Sequence, residues 1–214
     1  MADYKKPDHW QLKARKEGYP ARSVYKLKEL DEKFGLLKPA ACLSPGRAVI
    51  RVLDLGAAPG SWSLYVLRKM TDKVFLAAAD LSPLSREFDR GLFSADNFCF
   101  IQGDITDPAV RDSILAHGPY HLIISDAAPA TTGNRFIDTS RSLELAEAVV
   151  AYAESALSPG GNLVIKLFQG GDTSELLKRL KTFFKTAKSH KPQACRSDSF
   201  EMYYAGLTKT THTL

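Results

Sequence analysis

Short apolar runs rich in β-branched residues recur along this chain, and between them the apolar positions spread out to helical spacing. The runs Val49 to Leu55, Val74 to Asp80, Phe98 to Gly103, His121 to Asp126, Asn162 to Phe168 and Glu201 to Leu207 predict strands. Helical periodicity over Trp62 to Met70, Ala109 to Ala116, Ser142 to Leu157 and Ser174 to Phe184 predicts helices between them. A less regular pattern suggests a further strand near Thr186 to His190. This alternation reads as βαβ units. Because the early strands are apolar on both faces, the expected class is α/β: a mostly parallel central sheet with helices on both faces. Upstream, Val24, Leu27 and Leu30 predict a short amphipathic helix between Ser23 and Phe34, ended by Gly35 and Pro39. No internal repeat or low-complexity segment is evident, and Lys209 to Leu214 read as a disordered tail.

With 214 residues, 44% of them hydrophobic, the chain has enough apolar material for one compact domain, drawn here as residues 1–208. Lys and Arg outnumber Asp and Glu by 29 to 24, which favours a polyanionic partner without requiring one. The excess gathers in residues 1–35, where Lys13, Arg15, Lys16, Arg22, Lys26 and Lys28 stand among Trp10, Tyr19 and Tyr25. That segment is either a binding surface or a solvated, frayed terminus. A second basic stretch includes Lys178, Arg179, Lys181, Lys185, Lys188, Lys191 and Arg196. The three cysteines, Cys42, Cys99 and Cys195, are far apart, so neither a disulfide framework nor a metal site is expected, and each reads as a buried thiol. The start is polar, and no apolar run approaches the roughly 18 residues of a membrane span, so a cytoplasmic protein is expected.

The first predicted strand runs into Gly56-Ala-Ala-Pro-Gly60-Ser-Trp62, a turn of small residues that opens a helix. In a doubly wound sheet this is where a cofactor approaches the backbone, so the glycines are read as making room for one, although an ordinary tight turn would look similar. Asp80, at the end of the next strand, can accept hydrogen bonds from the ribose hydroxyls of a nucleoside. A dinucleotide would need G-x-G-x-x-G, which is absent, and that argues against a nicotinamide oxidoreductase. Asp54 before the turn suits a cation better than a pyrophosphate. DLGAAPGSW instead resembles the first motif of class I (Rossmann-like) S-adenosylmethionine methyltransferases. Asp104, in QGDI, resembles the position that contacts the adenine in that family; a helix N-cap before Pro108 is the alternative.

Lys166 interrupts the apolar run Leu163-Val-Ile-Lys-Leu-Phe168. Lysine is almost never buried unless paired, so it either snorkels to the strand end or has a partner and a task. Asp126 ends the fourth predicted strand, at the carboxyl edge where ligands bind. If Glu201 begins an antiparallel strand, it arrives at the same edge, and two carboxylates then flank one lysine.

At this point the chain resembles the FtsJ-type family of RNA 2′-O-ribose methyltransferases. The resemblance runs from DHWQLKARKEGYPARSVYKL through DLGAAPGSWS, SDAAP and IKLFQG to RSDSFEMYYAG, nearly the whole chain in the family's order. It implies a catalytic Lys26, Asp126, Lys166 and Glu201 tetrad, cofactor contacts at Gly60, Trp62, Asp80, Asp104 and Asp126, and S-adenosyl-L-methionine as cofactor. It also implies a seven-stranded mixed sheet. Ser61 stands where many bacterial members have a second glycine, and Ala130 follows SDAAP where a segment carrying Met and Asn is more usual.

The resemblance further implies methylation of a uridine in 23S (large-subunit) ribosomal RNA, presented on an assembled subunit to a monomeric enzyme, with transfer RNA as the second candidate. Basic N-terminal residues would hold phosphates, with aromatic residues stacking on bases. A non-catalytic RNA chaperone would need a broken tetrad, and here all four residues are present. A free lysine near pKa 10.4 is neutral in only about one molecule in a thousand at neutral pH, so a base needs help from its surroundings. Lys26 and a sulfonium favour a neutral Lys166, whereas Asp126 and Glu201 favour the ammonium. Base and orienting donor therefore both remain open for Lys166.

Overall fold

The computed structural model describes residues 8–38, 49–170, 173–196 and 199–211. Seven strands form one sheet in the order β3-β2-β1-β4-β5-β7-β6. They are β1 (Ile50–Leu55), β2 (Val74–Asp80), β3 (Phe98–Gln102), β4 (Tyr120–Ser125), β5 (Leu157–Phe168), β6 (Phe184–His190) and β7 (Glu201–Lys209). Strands β1 to β5 pair in parallel, and β7 runs antiparallel to both β5 and β6. Chain order reverses between β1 and β4, which opens a crevice at their carboxyl ends.

Side-chain alternation divides the core between the two faces. Val52, Ile124, Val164 and Tyr203 point to one face, under α1 (His9–Lys16), α2 (Val24–Phe34) and α3 (Ser61–Met70). Their chain neighbours Leu53, Ile123, Ile165 and Tyr204 point to the other, under α4 (Pro108–Leu115), α5 (Arg135–Ala156) and α6 (Thr173–Phe183). The period of two alone produces this division. It also sends Lys166 to the face that carries Tyr203.

Local chemistry sets the helix ends. Asp107 caps α4, with Pro108 in its first turn, and Asn134 caps α5 by accepting from the main-chain N–H groups of Phe136 and Ile137. Gly35 ends α2 in a left-handed conformation; Pro39 lies outside the described residues.

Several boundaries differ from expectation. Helix α1 has no counterpart in the periodicity: Asp8 caps it, and it makes part of the basic segment a packed element. Helix α5 starts at Arg135 rather than Ser142, because the apolar residues of its first turn, Phe136 and Ile137, are exposed and form no inward stripe, and its start depends on the Asn134 cap. Strand β5 starts at Leu157 and bulges around Pro159, Gly160 and Gly161, a segment whose composition resembles a turn. Edge strand β6 exposes Lys185 and Lys188, which discourages edge-to-edge pairing. Cys195 is buried, Cys99 is half-buried beside His117, and Cys42 lies outside the described residues. Among the described residues no helix is long and apolar enough to cross a membrane.

The expected tail from Lys209 onward needs correction. Lys209 belongs to β7, and its ammonium donates to the carbonyls of Ala153, Glu154 and Leu157 at 2.7, 2.9 and 2.8 Å. They lie at the C-terminal end of α5, where the helix dipole attracts a cation, and the Ala153 carbonyl accepts from the Leu157 N–H as well. Thr210 is also tied down, to the Phe183 carbonyl; residues 212–214 lie outside the described residues. Lys209→Met, which removes the ammonium and keeps an apolar stem, should lower the free energy of unfolding in urea by about 1–2 kcal/mol. An unchanged transition would mean that water serves those carbonyls equally well.

Candidate active site

Asp54 near the end of β1, Asp80 at the end of β2, Asp126 just beyond β4 and Lys166 near the end of β5 all reach the carboxyl edge of the sheet. Because β7 is antiparallel, its first residue, Glu201, arrives at the same edge opposite Phe168. Lys166 lies opposite Tyr203 in this register.

The Lys166 side chain is only 6% exposed, so it does not snorkel. Its Nζ lies 3.1 Å from Asp126 Oδ1 and donates to the Asp126 carbonyl at 2.5 Å. The Tyr203 hydroxyl donates to the same Oδ1 at 2.6 Å. Lys26, from the first turn of α2, pairs with Glu201 Oε2 at 2.6 Å. Each lysine therefore has its own carboxylate, which corrects the expectation that Asp126 and Glu201 both flank Lys166. The two pairs still feel each other. Burial pushes the Asp126 carboxyl up, but Lys166, Lys26 and the Tyr203 hydrogen bond outweigh it and hold the group below the usual range. Burial likewise lowers Lys26, and Asp126 and Glu201 reverse the shift. Beside them, burial pushes the Cys195 thiol up to about 11, so it stays protonated at neutral pH and is no nucleophile.

Two cavities adjoin this cluster. One, of about 330 Å³, is lined by Gly56, Ala58, Asp80, Leu81, Asp104 and Asp126 among others. The other, of about 580 Å³, has Arg22, Lys26, Thr131, Phe200 and Glu201 in its wall. Asp126 thus faces the first while Lys26 and Glu201 face the second.

At the first cavity, Asp80 accepts from the main-chain N–H groups of Ala58 and Ser82 at 2.9 and 2.8 Å, which fixes the carboxylate and uses part of its accepting capacity. Asp104 accepts from the main-chain N–H and hydroxyl of Thr106, and these bonds hold its carboxyl below the usual range. It does not cap α4, which Asp107 does.

The glycines of the turn have a reason the sequence did not reveal. A Cβ on Gly56 would lie 2.4 Å from Ala127 Cα, and one on Gly60 would lie 2.8 Å from the Phe93 ring. Both residues have positive φ, so close approach within the protein and backbone conformation already require glycine there. Trp62 is buried, and its indole donates to the Ser23 carbonyl at 2.9 Å. Ser61 exchanges hydrogen bonds with both main-chain groups of Ala21. Ser61 and Trp62 together fasten the chain ahead of α2 to the start of α3, and this sets where Lys26 stands. The Gly60 and Trp62 side-chain positions are thus used within the protein, which leaves the main chain of the turn to face a ligand.

Comparison with known proteins supports the geometric reading. The sequence profile described as FtsJ-like methyltransferase matches residues 19–209. The chain belongs to the FtsJ-like methyltransferase family. A ribosomal RNA large subunit methyltransferase E from Treponema denticola is 48% identical over 204 residues, covering 95% of this chain and 96% of that protein. One from Nitratidesulfovibrio vulgaris is 43% identical, over 94% of this chain and 93% of its own length. Among solved structures, a ribosomal RNA methyltransferase from Plasmodium falciparum superposes with a TM-score of 0.72 at 27% identity, covering 91% of this chain and all of that one. Fibrillarin from Aeropyrum pernix, at 15% identity and a TM-score of 0.55, shares the fold.

For this family member, sequence reasoning missed Tyr203. The available signal was strand periodicity: two residues after Glu201, Tyr203 falls on the same face. Among the described residues no group of three His, Cys, Asp or Glu side chains is arranged to hold a metal ion.

Asp54 shows what the crevice attracts. It is fully buried; one oxygen accepts from the Ser63 hydroxyl at 2.6 Å and the other has no partner. Burial, opposed by the Ser63 hydrogen bond and reinforced by Asp126 and Asp80, raises its carboxyl to about 7. The unfolded chain releases this proton near pH 3.9 and the folded protein near 7, so the group lowers stability as pH rises between those values. Urea unfolding of the protein and of Asp54→Asn at pH 5 and 6.5 should show the unsubstituted protein losing ground by about 1.4 kcal/mol per pH unit. Parallel pH profiles would show that Asp54 is already ionised in the folded protein.

Proposed function

We propose that this chain transfers a methyl group from S-adenosyl-L-methionine to a ribose 2′-hydroxyl of large-subunit ribosomal RNA, most simply a uridine. The observation that carries the proposal is the complete Lys26, Asp126, Lys166 and Glu201 cluster at the boundary of two cavities. Relatives named ribosomal RNA large subunit methyltransferase E, 40–48% identical over most of the chain, support the choice of RNA. The assembled large subunit in the cytoplasm is the favoured substrate, and a monomer the favoured form, by likeness to the bacterial single-domain members.

The first cavity fits the cofactor in size and chemistry. Its volume falls in the range of small-molecule sites, about 300–1,000 Å³. Asp80 and Asp104 in its wall can accept from ribose hydroxyls and from the exocyclic amine of an adenine, and Asp54, buried behind that wall beside Asp80 and Asp126, has one unpartnered oxygen that adds to the attraction for a cationic group. The first N–H groups of α3 lack helical acceptors and can bind a carboxylate. When bound, S-adenosylmethionine supplies an electrophilic sulfonium methyl.

The protein supplies alignment and proton handling. Asp126 and Tyr203 fix Lys166, so its ammonium position is set before RNA arrives. In our reading Lys166 first gives up a proton to water and, as the neutral amine, orients the 2′-hydroxyl and receives its proton during or just after transfer, while the Lys26–Glu201 pair holds the sugar from the other cavity. Alignment of this kind is worth about 7–11 kcal/mol, so most of the acceleration can come from positioning.

The basic segment is retained as an RNA contact, with one change. Tyr19 and Tyr25 are core residues, and Lys13, Lys28 and Arg68 lie over the rings of Trp10, Tyr25 and Tyr19, so these rings are already covered. Phosphate pairing, rather than stacking, is their neighbourhood's role. Exposed pairs such as Arg15–Glu87 are worth at most about 1 kcal/mol and can be exchanged for phosphate. In the second basic stretch, Lys178 and Arg179 are paired with Glu175, Glu147 and Glu154. That makes it the weaker candidate.

Labelled S-adenosylmethionine and large subunits from cells lacking this gene should yield a labelled 2′-O-methyl nucleoside after digestion; label on a base would overturn the proposal. Lys166→Ala should bind cofactor normally by calorimetry and lose about 10² to 10⁴ in single-turnover transfer. Asp126→Ala should lose both cofactor affinity and turnover. Near wild-type transfer by a folded Lys166→Ala would remove Lys166 from the chemistry.

Replacing Lys13, Arg15 and Lys16 with Gln should weaken RNA binding and flatten its salt dependence by about 0.7–0.9 in log–log slope for each phosphate no longer neutralised, with cofactor affinity intact. An unaltered slope would make the segment ordinary solvated surface.

A further inference from the structure

The larger cavity contains a feature that the tetrad does not use. Phe200, half-buried in its wall, directly precedes Glu201. Its backbone is clamped: the Gln169 N–H donates to the Phe200 carbonyl at 2.7 Å, joining it to the end of β5. Phe168 packs against its ring at 4.7 Å between centroids and an interplanar angle of 61°. The Arg135 guanidinium, from the start of α5, lies over the Phe200 ring at 5.5 Å. Around this aromatic patch the wall is polar and mainly cationic, with Arg22, Lys26 and Arg196 against Glu201. An aromatic face set among cations suits a ligand that combines a flat π-surface with negative charge.

We infer that Phe200, braced by Phe168 and with Arg135 over one face of its ring, offers its other face as the platform on which the base of the target nucleotide stacks while its ribose is presented to the tetrad. The inference rests on the RNA reading above and names the residue that seats the acceptor. Single-stranded RNA is recognised largely by stacking unpaired bases on aromatic and Arg planes. Enzymes that modify one nucleotide within a folded nucleic acid draw it out of its stack into such a pocket. Placement agrees. Phe200, Glu201 and Lys26 line the same cavity, so a base on Phe200 keeps its own sugar beside Glu201 and Lys26. Tyr203 and Trp62 cannot serve instead, since both are buried on the core side of the cluster.

The test compares Phe200→Ala, Phe200→Leu and Phe200→Trp, using large subunits from cells lacking this gene and labelled S-adenosylmethionine. Base–aromatic stacking predicts a loss in kcat/KM for subunits of about 5- to 150-fold in the Ala and Leu variants. The Trp variant should retain wild-type efficiency, and all three should bind cofactor like the parent. If Leu matches Trp, the cavity needs only apolar bulk and the platform is wrong; an Ala variant as efficient as the parent overturns it too. Should Phe200→Ala fail to fold, the Leu and Trp pair decides. A parent protein that forms no 2′-O-methyl nucleoside on subunits would instead overturn the RNA reading and, with it, this inference.

Discussion

A lysine in the middle of a sheet, with its head out of water, is the constraint around which this edge of the molecule is organised. Removing one charge from water costs several kcal/mol even after relaxation, and a partner must be well placed to offset it. Here Lys166 has the Asp126 carboxylate and carbonyl, and Asp126 has Tyr203 in turn. The bonds to Asp126 require β4 and β5 to end level with each other, and the Tyr203 hydrogen bond requires β7 to run antiparallel in one register. A one-residue slip of β7 would turn Tyr203 to the opposite face and bring Met202 or Tyr204 opposite Lys166. The geometry of this cluster and the sheet register are thus one requirement.

The same logic explains why the crevice can be both narrow and open. Gly56 lets the chain after β1 pass against Ala127, immediately after Asp126, and Gly60 lets the start of α3 pass against Phe93. Side chains at either site would push the turn away from the sheet. The small residues therefore bring walls together, and the cavity is what remains between them. Ser61 gains a use in this arrangement, because its hydroxyl engages both main-chain groups of Ala21.

Much of this was legible from the chain. Alternating strand and helix patterns located the parallel sheet, and an out-of-place Lys166 marked the site because a buried lysine is hard to explain otherwise. What stayed hidden depended on tertiary partners. Helix α1 and the first turns of α5 lack a clear apolar stripe and are set by the Asp8 and Asn134 caps. Lys209 looked like part of a frayed end until the end of α5 supplied its carbonyls. Trp10, Tyr19 and Tyr25 looked available for stacking because sequence does not show that lysines and an arginine of the same protein cover them. The pairing of Glu201 with Lys26 was hidden as well, since it depends on how α2 crosses the edge of the sheet.

The placement of charge around the cluster has a mechanistic consequence. Two lysines and two carboxylates form neighbouring pairs, so the resting site is close to neutral despite its burial. Such a cluster neither strongly attracts nor repels a neutral hydroxyl. It responds when a charge arrives on one side. A cation in the smaller cavity would lie near Asp80 and Asp126, which add to the effect of burial in pushing the neighbouring Asp54 carboxyl up. That cation would relieve the carboxylates and compete with Lys166 for Asp126, which links occupancy of the smaller cavity to the freedom of the lysine paired with its wall. Cofactor binding would then reach Lys166 through Asp126, which lines the smaller cavity and pairs with the lysine, with no movement of the sheet required.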